Sequence, residues 1–129
     1  MATGTVTQHQ NERLSTEAVF PVHLTLDSPA LSGAKQVYVV SPVKGNITEV
    51  WSVVNTALTT AKSTLTVKAP DGTVGAFEIA HLAAVGTVDQ LSAQATLANT
   101  EVEAGEVIEI ENDAAPGAGQ ATFVVVIGP

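Results

Sequence analysis

The stretch that decides the fold runs from Tyr38 to Thr73 and reads YVVSPVKGNITEVWSVVNTALTTAKSTLTVKAPDGT. Its apolar residues come in short runs rich in valine, isoleucine and threonine, which favour β-strands. Proline, glycine and asparagine separate these runs and mark turns between them. The stretch therefore predicts three strands joined by short turns. It contains no reactive-site motif, metal-ligand cluster or phosphate-binding loop.

The clearest local structure in this stretch is a hairpin. Ser63–Ala69 alternates between apolar and polar residues, with Leu65 and Val67 on one face. Pro70-Asp71-Gly72 follows, in which proline fixes φ and aspartate and glycine tolerate positive φ. Thr73–Ala80 then continues as a second strand. We therefore expect a hairpin from Ser63 to Ala80.

Further strands are predicted on both sides of this hairpin from alternating or continuously apolar runs. They are Ala18–Asp27, Gln36–Ser41, Ile47–Val54, Val107–Asn112 and Gln120–Ile127. Pro21 cannot donate to a strand ladder, so the first of these strands is expected at a sheet edge or with a bulge. The last is apolar on both faces and is expected in the centre of a sheet or at an interface.

Two segments are harder to assign. Asn55–Lys62 interrupts the strand pattern and fits either a wide loop or one helical turn. His81–Thr100 contains alanines and leucines that permit a helix, but Gly86 interrupts them and Val85, Thr87 and Val88 favour a strand or loop. We expect irregular structure there, with one short strand near Ala93–Leu97.

Seven or eight short strands in 129 residues predict one all-β domain, a β-sandwich or jelly roll. We place this domain at residues 16–129, preceded by a flexible N-terminal arm, Met1–Ser15, which is polar and lacks periodicity. Its core must be mainly aliphatic because the chain has only three phenylalanines, one tyrosine and one tryptophan.

Composition narrows the classes of partner. Thirteen acidic against five basic residues give a net charge of −8, so no basic footprint for nucleic acid exists. Charged residues make up only 14%, which leaves the neutral surface typical of subunit interfaces. The sequence has no cysteine, shows no signal-peptide pattern and has no apolar run long enough to cross a bilayer. We expect synthesis in the cytoplasm and no membrane partner.

Few residues could carry chemistry. His9, His23 and His81 are far apart in sequence and have no cysteine or second histidine beside them, so solvated or hydrogen-bonded histidines are expected. Acidic residues alternate between Glu101 and Asp113, which fits a solvated strand face and, as an alternative, oxygen ligands for Ca²⁺. We expect no enzymatic activity and no cofactor.

Two large amphipathic side chains, Tyr38 and Trp51, lie on predicted strands. Such side chains commonly pack in or beside a core. If either is exposed, it is the natural anchor of an interface.

The run SPVKGNITEVWSVVNTALTTAKSTLTVKAPDGT resembles small structural proteins of tailed bacteriophages, the capsid decoration, cement or head-fibre proteins. The similarity is best over Val39–Thr73 and continues through Ala98-Asn99-Thr100 and Ala104–Ile108. This resemblance implies a β-sandwich that forms a homotrimer on the outer capsid surface at local three-fold positions. There it would clamp neighbouring copies of the major capsid protein. The family has no catalytic residues to transfer.

Contacts with the capsid or between subunits are expected at the arm, at the loops Pro42–Asn46 and Asn55–Lys62, and at the two large aromatics. The candidate residues are Tyr38, Pro42, Val43, Lys44, Asn46, Trp51, Leu58 and Lys62. The alternative is a carbohydrate-binding or adhesion sandwich on a virion fibre. That reading requires an exposed aromatic side chain or a calcium site within Glu101–Asp113.

Overall fold

The fold is all-β, as the sequence predicts, and is taken from a computed structural model that describes residues 20–27, 36–91, 97–113 and 119–129. Nine strands occur in these ranges, two of them short. They are β1 (Val22–Asp27), β2 (Gln36–Val40), β3 (Gly45–Thr56), β4 (Ser63–Ala69), β5 (Gly72–Ile79), β6 (Val88–Leu91), β7 (Glu101–Val102), β8 (Val107–Asn112) and β9 (Gln120–Gly128).

The strands form two antiparallel sheets. Sheet I has the order β1-β9-β3-β6, with β7 also paired to β3, and sheet II has the order β2-β8-β4-β5. The pairs β4·β5, β3·β6, β2·β8 and β1·β9 are nested, as in one long hairpin. This hairpin is wound so that its strands alternate between the two sheets, which is the jelly-roll arrangement.

The core lies between the sheets and is aliphatic apart from two phenylalanines, as the composition predicts. β9 is central in sheet I, flanked by β1 and β3, which explains its continuous apolar character. β1 is an edge strand and begins directly after Pro21, where the missing amide donor costs no ladder bond. For each strand the sequence left two alternatives, and the pairing selects the edge for β1 and the centre of the sheet for β9.

The Ser63–Ala80 hairpin is confirmed, with Pro70-Asp71-Gly72 at its turn. The sequence allowed either a loop or one helical turn at Asn55–Lys62. The structure has a loop there, because β3 continues to Thr56 and residues 57–62 are irregular.

The structure differs from the predicted strands in the segment His81–Thr100. A short strand occurs at Val88–Leu91. The expected strand near Ala93–Leu97 falls mainly outside the described residues, and Leu97 itself is not in a strand. The predicted arm Met1–Ser15 also lies outside them.

Strand register defines two ends of the sandwich. The Lys44 end comprises residues 41–46, 70–72 and 103–106, together with the start of β1 and the end of β9. The Leu58 end comprises residues 57–62 and 80–87. Within the described ranges, no helix has the length and apolar character needed to cross a membrane.

Candidate binding surfaces

A bulge in β3 determines which way Trp51 points. Ile47 faces the core, and strict alternation from it would place Trp51 inward as well. The register with β9 shifts between Ile47 and Glu49, so Val50 faces the core instead and Trp51 faces outward. Thr48 lies at this shift, and its hydroxyl donates to the Val126 carbonyl at 3.3 Å. The bulge therefore places the large aromatic side chain on the surface of sheet I.

The residues beside Trp51 on β9 and β6 make an apolar patch, and Glu49 borders this patch because it lies two residues before Trp51 on the same side of β3. Trp51 lies opposite Val124 of β9, and Val53 lies opposite Val88 of β6. Trp51, Val53 and Val124 are half-buried, whereas Val88 is 57% exposed. We call these four residues the Trp51 face. The remaining side chains in these two rows are Gln90 and Thr122, followed on β1 by Thr25 and Asp27.

Polar groups border the Trp51 face at the Leu58 end. The Asn55 amide donates to Thr122 Oγ1 at 2.7 Å, and the Thr122 hydroxyl donates to Asp27 Oδ1 at 2.7 Å. This chain of hydrogen bonds crosses β3, β9 and β1. An apolar centre with a hydrogen-bonded polar border is the arrangement found at protein–protein interfaces.

The outer surface of sheet II is charged. Lys68 Nζ lies 3.7 Å from Glu109 and 3.6 Å from Glu111, all half-buried. Tyr38 lies opposite Glu109 and is 61% exposed. Its hydrogen bond to Glu109 is the main reason that its pKa is raised above 10.0. Tyr38 and Trp51, grouped by the sequence prediction, therefore occupy opposite faces of the sandwich.

A cavity of about 350 Å³ opens at the Lys44 end. Its lining comes from the start of β3, from β7 and from the last residue of the chain: Lys44, Gly45, Asn46, Glu101, Val102, Glu103 and Pro129. The Thr100 hydroxyl donates to Asn46 Oδ1 at 3.1 Å, and Lys44 Nζ lies 3.9 Å from Glu103. Two predicted contact residues, Lys44 and Asn46, are thus brought to one polar cavity.

The loop that leads into this cavity is held in place by its own hydrogen bonds. Ser41 is buried, and its hydroxyl donates to the Val43 carbonyl at 2.7 Å. The Gly105 amide donates to the Ser41 carbonyl at 2.7 Å. Pro42 is exposed, whereas Val43 is half-buried against the core. The loop therefore presents Pro42 and Lys44 outward from a fixed backbone.

The Leu58 end holds the other two predicted contact residues, and one of them is not at the surface. Leu58 is 0% exposed and belongs to the core, so the surface role expected for it does not fit its burial. Lys62 is exposed and lies 2.6 Å from Glu78, whose hydrogen bond raises the pKa of Lys62 above 10.5. A loop leucine can close the end of a sandwich, which its position in the sequence does not reveal.

The acidic residues between Glu101 and Asp113 are dispersed by the fold. Glu101 and Glu103 line the cavity, Glu106 accepts a hydrogen bond from the Glu103 amide, and Glu109 and Glu111 face Lys68 on sheet II. In the described part of the chain, no three acidic, histidine or cysteine side chains are grouped closely enough to hold a metal ion.

The described histidines also lie apart. His23 is exposed on β1, and His81 Nε2 lies 3.2 Å from the Thr59 carbonyl at the Leu58 end. His9 lies outside the described residues.

One polar pair was missed by the sequence analysis. Ser52 of β3 and Asp89 of β6 are paired in register and both face the interior. Ser52 Oγ and Asp89 Oδ2 are buried and find no hydrogen-bond partner among the described residues. Burial raises the pKa of Asp89 above 3.8. Only the register of β6 reveals this pair, because the sequence VDQL does not show which side faces the core.

Comparison with known proteins gives only weak structural similarity. No protein-family model and no curated protein matches the chain. Three solved structures are similar to this chain at a low level. Part of dimeric latent PorU from Porphyromonas gingivalis is 11% identical, with a TM-score of 0.48 over 88% of this chain. This chain spans only 13% of the PorU chain.

This chain covers almost the whole length of the other two structures. A pilus protein of Bacillus endospore appendages is 12% identical, with a TM-score of 0.46 over 88% of this chain and 90% of that one. PirA is 10% identical, with a TM-score of 0.37 over 88% of this chain and 98% of that one. Similarity at this level does not bear on function.

Proposed function

We propose that this chain is a structural protein of a bacteriophage head, a decoration or cement protein that binds the outer surface as a homotrimer. It stabilises contacts between neighbouring copies of the major capsid protein and is made in the host cytoplasm. The proposal rests on the resemblance of Val39–Thr73 to that family. The same segment forms β3 and β4, which are inner strands of sheet I and sheet II, and the turn after β4.

The structural observation that supports this proposal best is the apolar Trp51 face on an acidic protein. Surfaces that bind other proteins tend to lack charge at their centre and to carry a tryptophan there. Jelly rolls are also a recurrent architecture of viral capsid proteins. The chain therefore has the surface and the scaffold that an adhesive structural protein needs.

The Lys44 end is the surface proposed to contact the capsid. It brings the exposed loop residues Pro42 and Lys44 beside the polar cavity that contains Asn46. It also lies at right angles to the Trp51 face, because one is an end of the sandwich and the other is a sheet surface. Both surfaces can therefore be occupied at once.

Binding to the shell tests this function directly. The purified chain is mixed with expanded heads assembled from the major capsid protein of the encoding phage and sedimented. Wild type is expected to sediment with the heads. Lys44→Ala is expected to weaken binding about tenfold, because it removes a positive charge at the contact.

The matched control is Ala80→Glu, which changes the net charge from −8 to −9 as Lys44→Ala does but lies at the Leu58 end. This control is expected to bind as wild type does. Failure of the wild-type chain to bind expanded heads would contradict the proposal. Equal weakening by both variants would show that overall charge, not the Lys44 end, governs binding.

Carbohydrate binding is the second candidate, and the exposed ring of Tyr38 supports it. Sugars stack on exposed aromatic rings, and Glu109 and Gln36 lie on neighbouring surface positions of sheet II. A glycan array with wild type and Tyr38→Ala, each with and without chelator, tests it. Glycan binding that Tyr38→Ala abolishes would favour this candidate over capsid decoration.

A further inference from the structure

We propose that the side of the sandwich between the edge strands β1 and β2 accepts the N-terminal segment of a neighbouring copy, as an added strand beside β2. This inference rests on the homotrimer of the proposed function and names the segment that joins the copies. The N-terminal segment comprises residues 1–19, which precede the first described residue, Phe20.

The two sides of the sandwich are closed to different degrees. On one side the edge strands β5 and β6 lie against each other, and their inward side chains Val74, Ile79 and Leu91 are buried. On the other side the edge strands are β1 and β2. The inward apolar side chains of these two strands are all only half-buried: Val22, Leu24, Leu26, Val37 and Val39. We call this the open side.

The backbone of β2 directs hydrogen-bonding groups toward the open side. The Ser41 amide donates to the Glu106 carbonyl, and hydrogen-bonded pairs alternate along an antiparallel ladder. This alternation turns the amide and carbonyl of Tyr38, and of the residues two before and two after it, away from β8. Among the described strands, none pairs with β2 on that side.

β2 also lacks the features that commonly protect an edge strand from pairing. Its sequence, QVYVV, has no charged residue and no proline, and its register with β8 has no bulge. β1, in contrast, follows Pro21 and carries Asp27. An extended segment beside β2 satisfies the backbone groups of β2 and covers the half-buried side chains in one step. The geometry therefore fits a strand better than a globular surface.

The position and length of the N-terminal segment select it as this strand. The chain enters β1 along the open side, and Phe20, where it enters, is 78% exposed, so its own sandwich does not cover this ring. Nineteen extended residues span up to about 60 Å, whereas the five residues of β2 span about 17 Å. The segment is therefore long enough to reach the open side of a neighbouring copy.

The composition of the N-terminal segment also suits this place. Residues 1–11, MATGTVTQHQN, contain no aspartate, glutamate, lysine or arginine, and their threonines and valine favour a strand. Because β2 is uncharged as well, the added strand brings no like charges together next to it.

Cysteine cross-linking tests the exchange, because the natural chain has no cysteine. Tyr38 is 61% exposed, so Tyr38→Cys leaves the core unchanged. It is combined in one chain with Thr3→Cys, Thr5→Cys or Thr7→Cys, which together scan the register, and the protein is oxidised. At least one double variant is expected to give covalent dimers and trimers on a denaturing gel.

Two controls accompany these variants. Tyr38→Cys alone is expected to give no covalent trimer. The same N-terminal substitutions combined with Ala76→Cys, an exposed position on β5 at the closed side, are expected to stay mainly monomeric on the gel.

Hydrogen exchange measures the same contact in the wild-type chain. The Tyr38 amide faces the open side, so its exchange is expected to be at least about tenfold slower in the trimer than in dilute monomer. The Val39 amide already faces β8 and is expected to change little.

Three results would overturn the inference. The first is the absence of a disulfide between residue 38 and the N-terminal segment in all three double variants, whether the chain is trimeric or monomeric. The second is a disulfide that forms only within one chain, which would make each chain's own segment the occupant. The third is a Tyr38 amide that exchanges equally fast in trimer and monomer. Wild type that still sediments with expanded heads in any of these cases keeps capsid binding, so the two failures are distinguishable.

Discussion

Single residues show where this β-sandwich departs from an ideal one. Asp89 faces the interior of sheet I next to Ser52, and its Oδ2 atom has no hydrogen-bond partner in the described part of the chain. A buried carboxylate oxygen in that position loses hydration without gaining a hydrogen bond from the described residues. Burial accordingly raises its pKa above the ordinary value of 3.8. The neutral acid is the form that the fold accommodates best.

Replacing Asp89 with asparagine is therefore expected to stabilise the protein at pH 7. Because the folded-state pKa is raised, the contribution of Asp89 to stability is most favourable below pH 3.8. It is lost as the pH rises through the folded-state pKa. Asp89→Asn removes this loss, so its free energy of unfolding should exceed that of wild type by about 1 kcal/mol at pH 7. Urea denaturation at several pH values measures the difference.

The control for this substitution is Asp71→Asn, which makes the same chemical change at an exposed turn position. It is expected to leave the free energy of unfolding at pH 7 close to that of wild type, because Asp71 is exposed. An Asp89→Asn protein that is less stable than wild type at pH 7 would mean that the carboxylate has a partner that favours its charged form.

At the level of strands, alternation and turn residues were enough to predict most elements. The Ser63–Ala80 hairpin follows from clean alternation and a strong turn sequence, and β9 follows from a run that is apolar on both faces. β6 could not be predicted, because its four residues are too short for a pattern and Asp89 occupies an inward position. Its assignment comes from pairing with β3, a contact between residues distant in sequence.

The bulge at Thr48 explains why the candidate site was only partly predicted. The sequence ITEVWSVV is apolar at both odd and even positions, so it does not reveal which side of β3 faces the core. The register shift reverses the alternation after Ile47 and directs Trp51 outward. Sequence alone identified Trp51 as a candidate anchor but could not separate its face from that of Tyr38.

The turn between β4 and β5 depends on Gly72 and on its contact with Asn99. Gly72 has φ +137°, and a Cβ there would lie 3.1 Å from the Asn99 amide nitrogen. That amide donates to the Thr73 carbonyl at 3.0 Å. Gly72→Ala is therefore expected to lower the free energy of unfolding by about 2 kcal/mol, through backbone strain and displacement of Asn99.

Gly105→Ala separates these two causes. Gly105 has φ +88° and open space around the position of a Cβ, so alanine there adds strain without crowding. We expect a loss of about 1 kcal/mol for this variant by urea denaturation. A Gly72→Ala protein no less stable than Gly105→Ala would show that the contact with Asn99 has no energetic role.

At the scale of the whole molecule, strand count and turn spacing predicted the sandwich but not its connectivity. The nested pairing that makes a jelly roll brings β1 to β9 and β2 to β8 from opposite ends of the sequence. Local patterns contain no information on such pairs. The same connectivity places the Lys44 end and the Trp51 face on adjacent, perpendicular surfaces.

An electron cryomicroscopy reconstruction of the encoding phage's head tests the account most directly. It predicts density for three copies of this jelly roll around the local three-fold positions of the outer shell. The Lys44 end should rest on the capsid. Heads without this density, or the chain found only on a tail or fibre, would contradict the account.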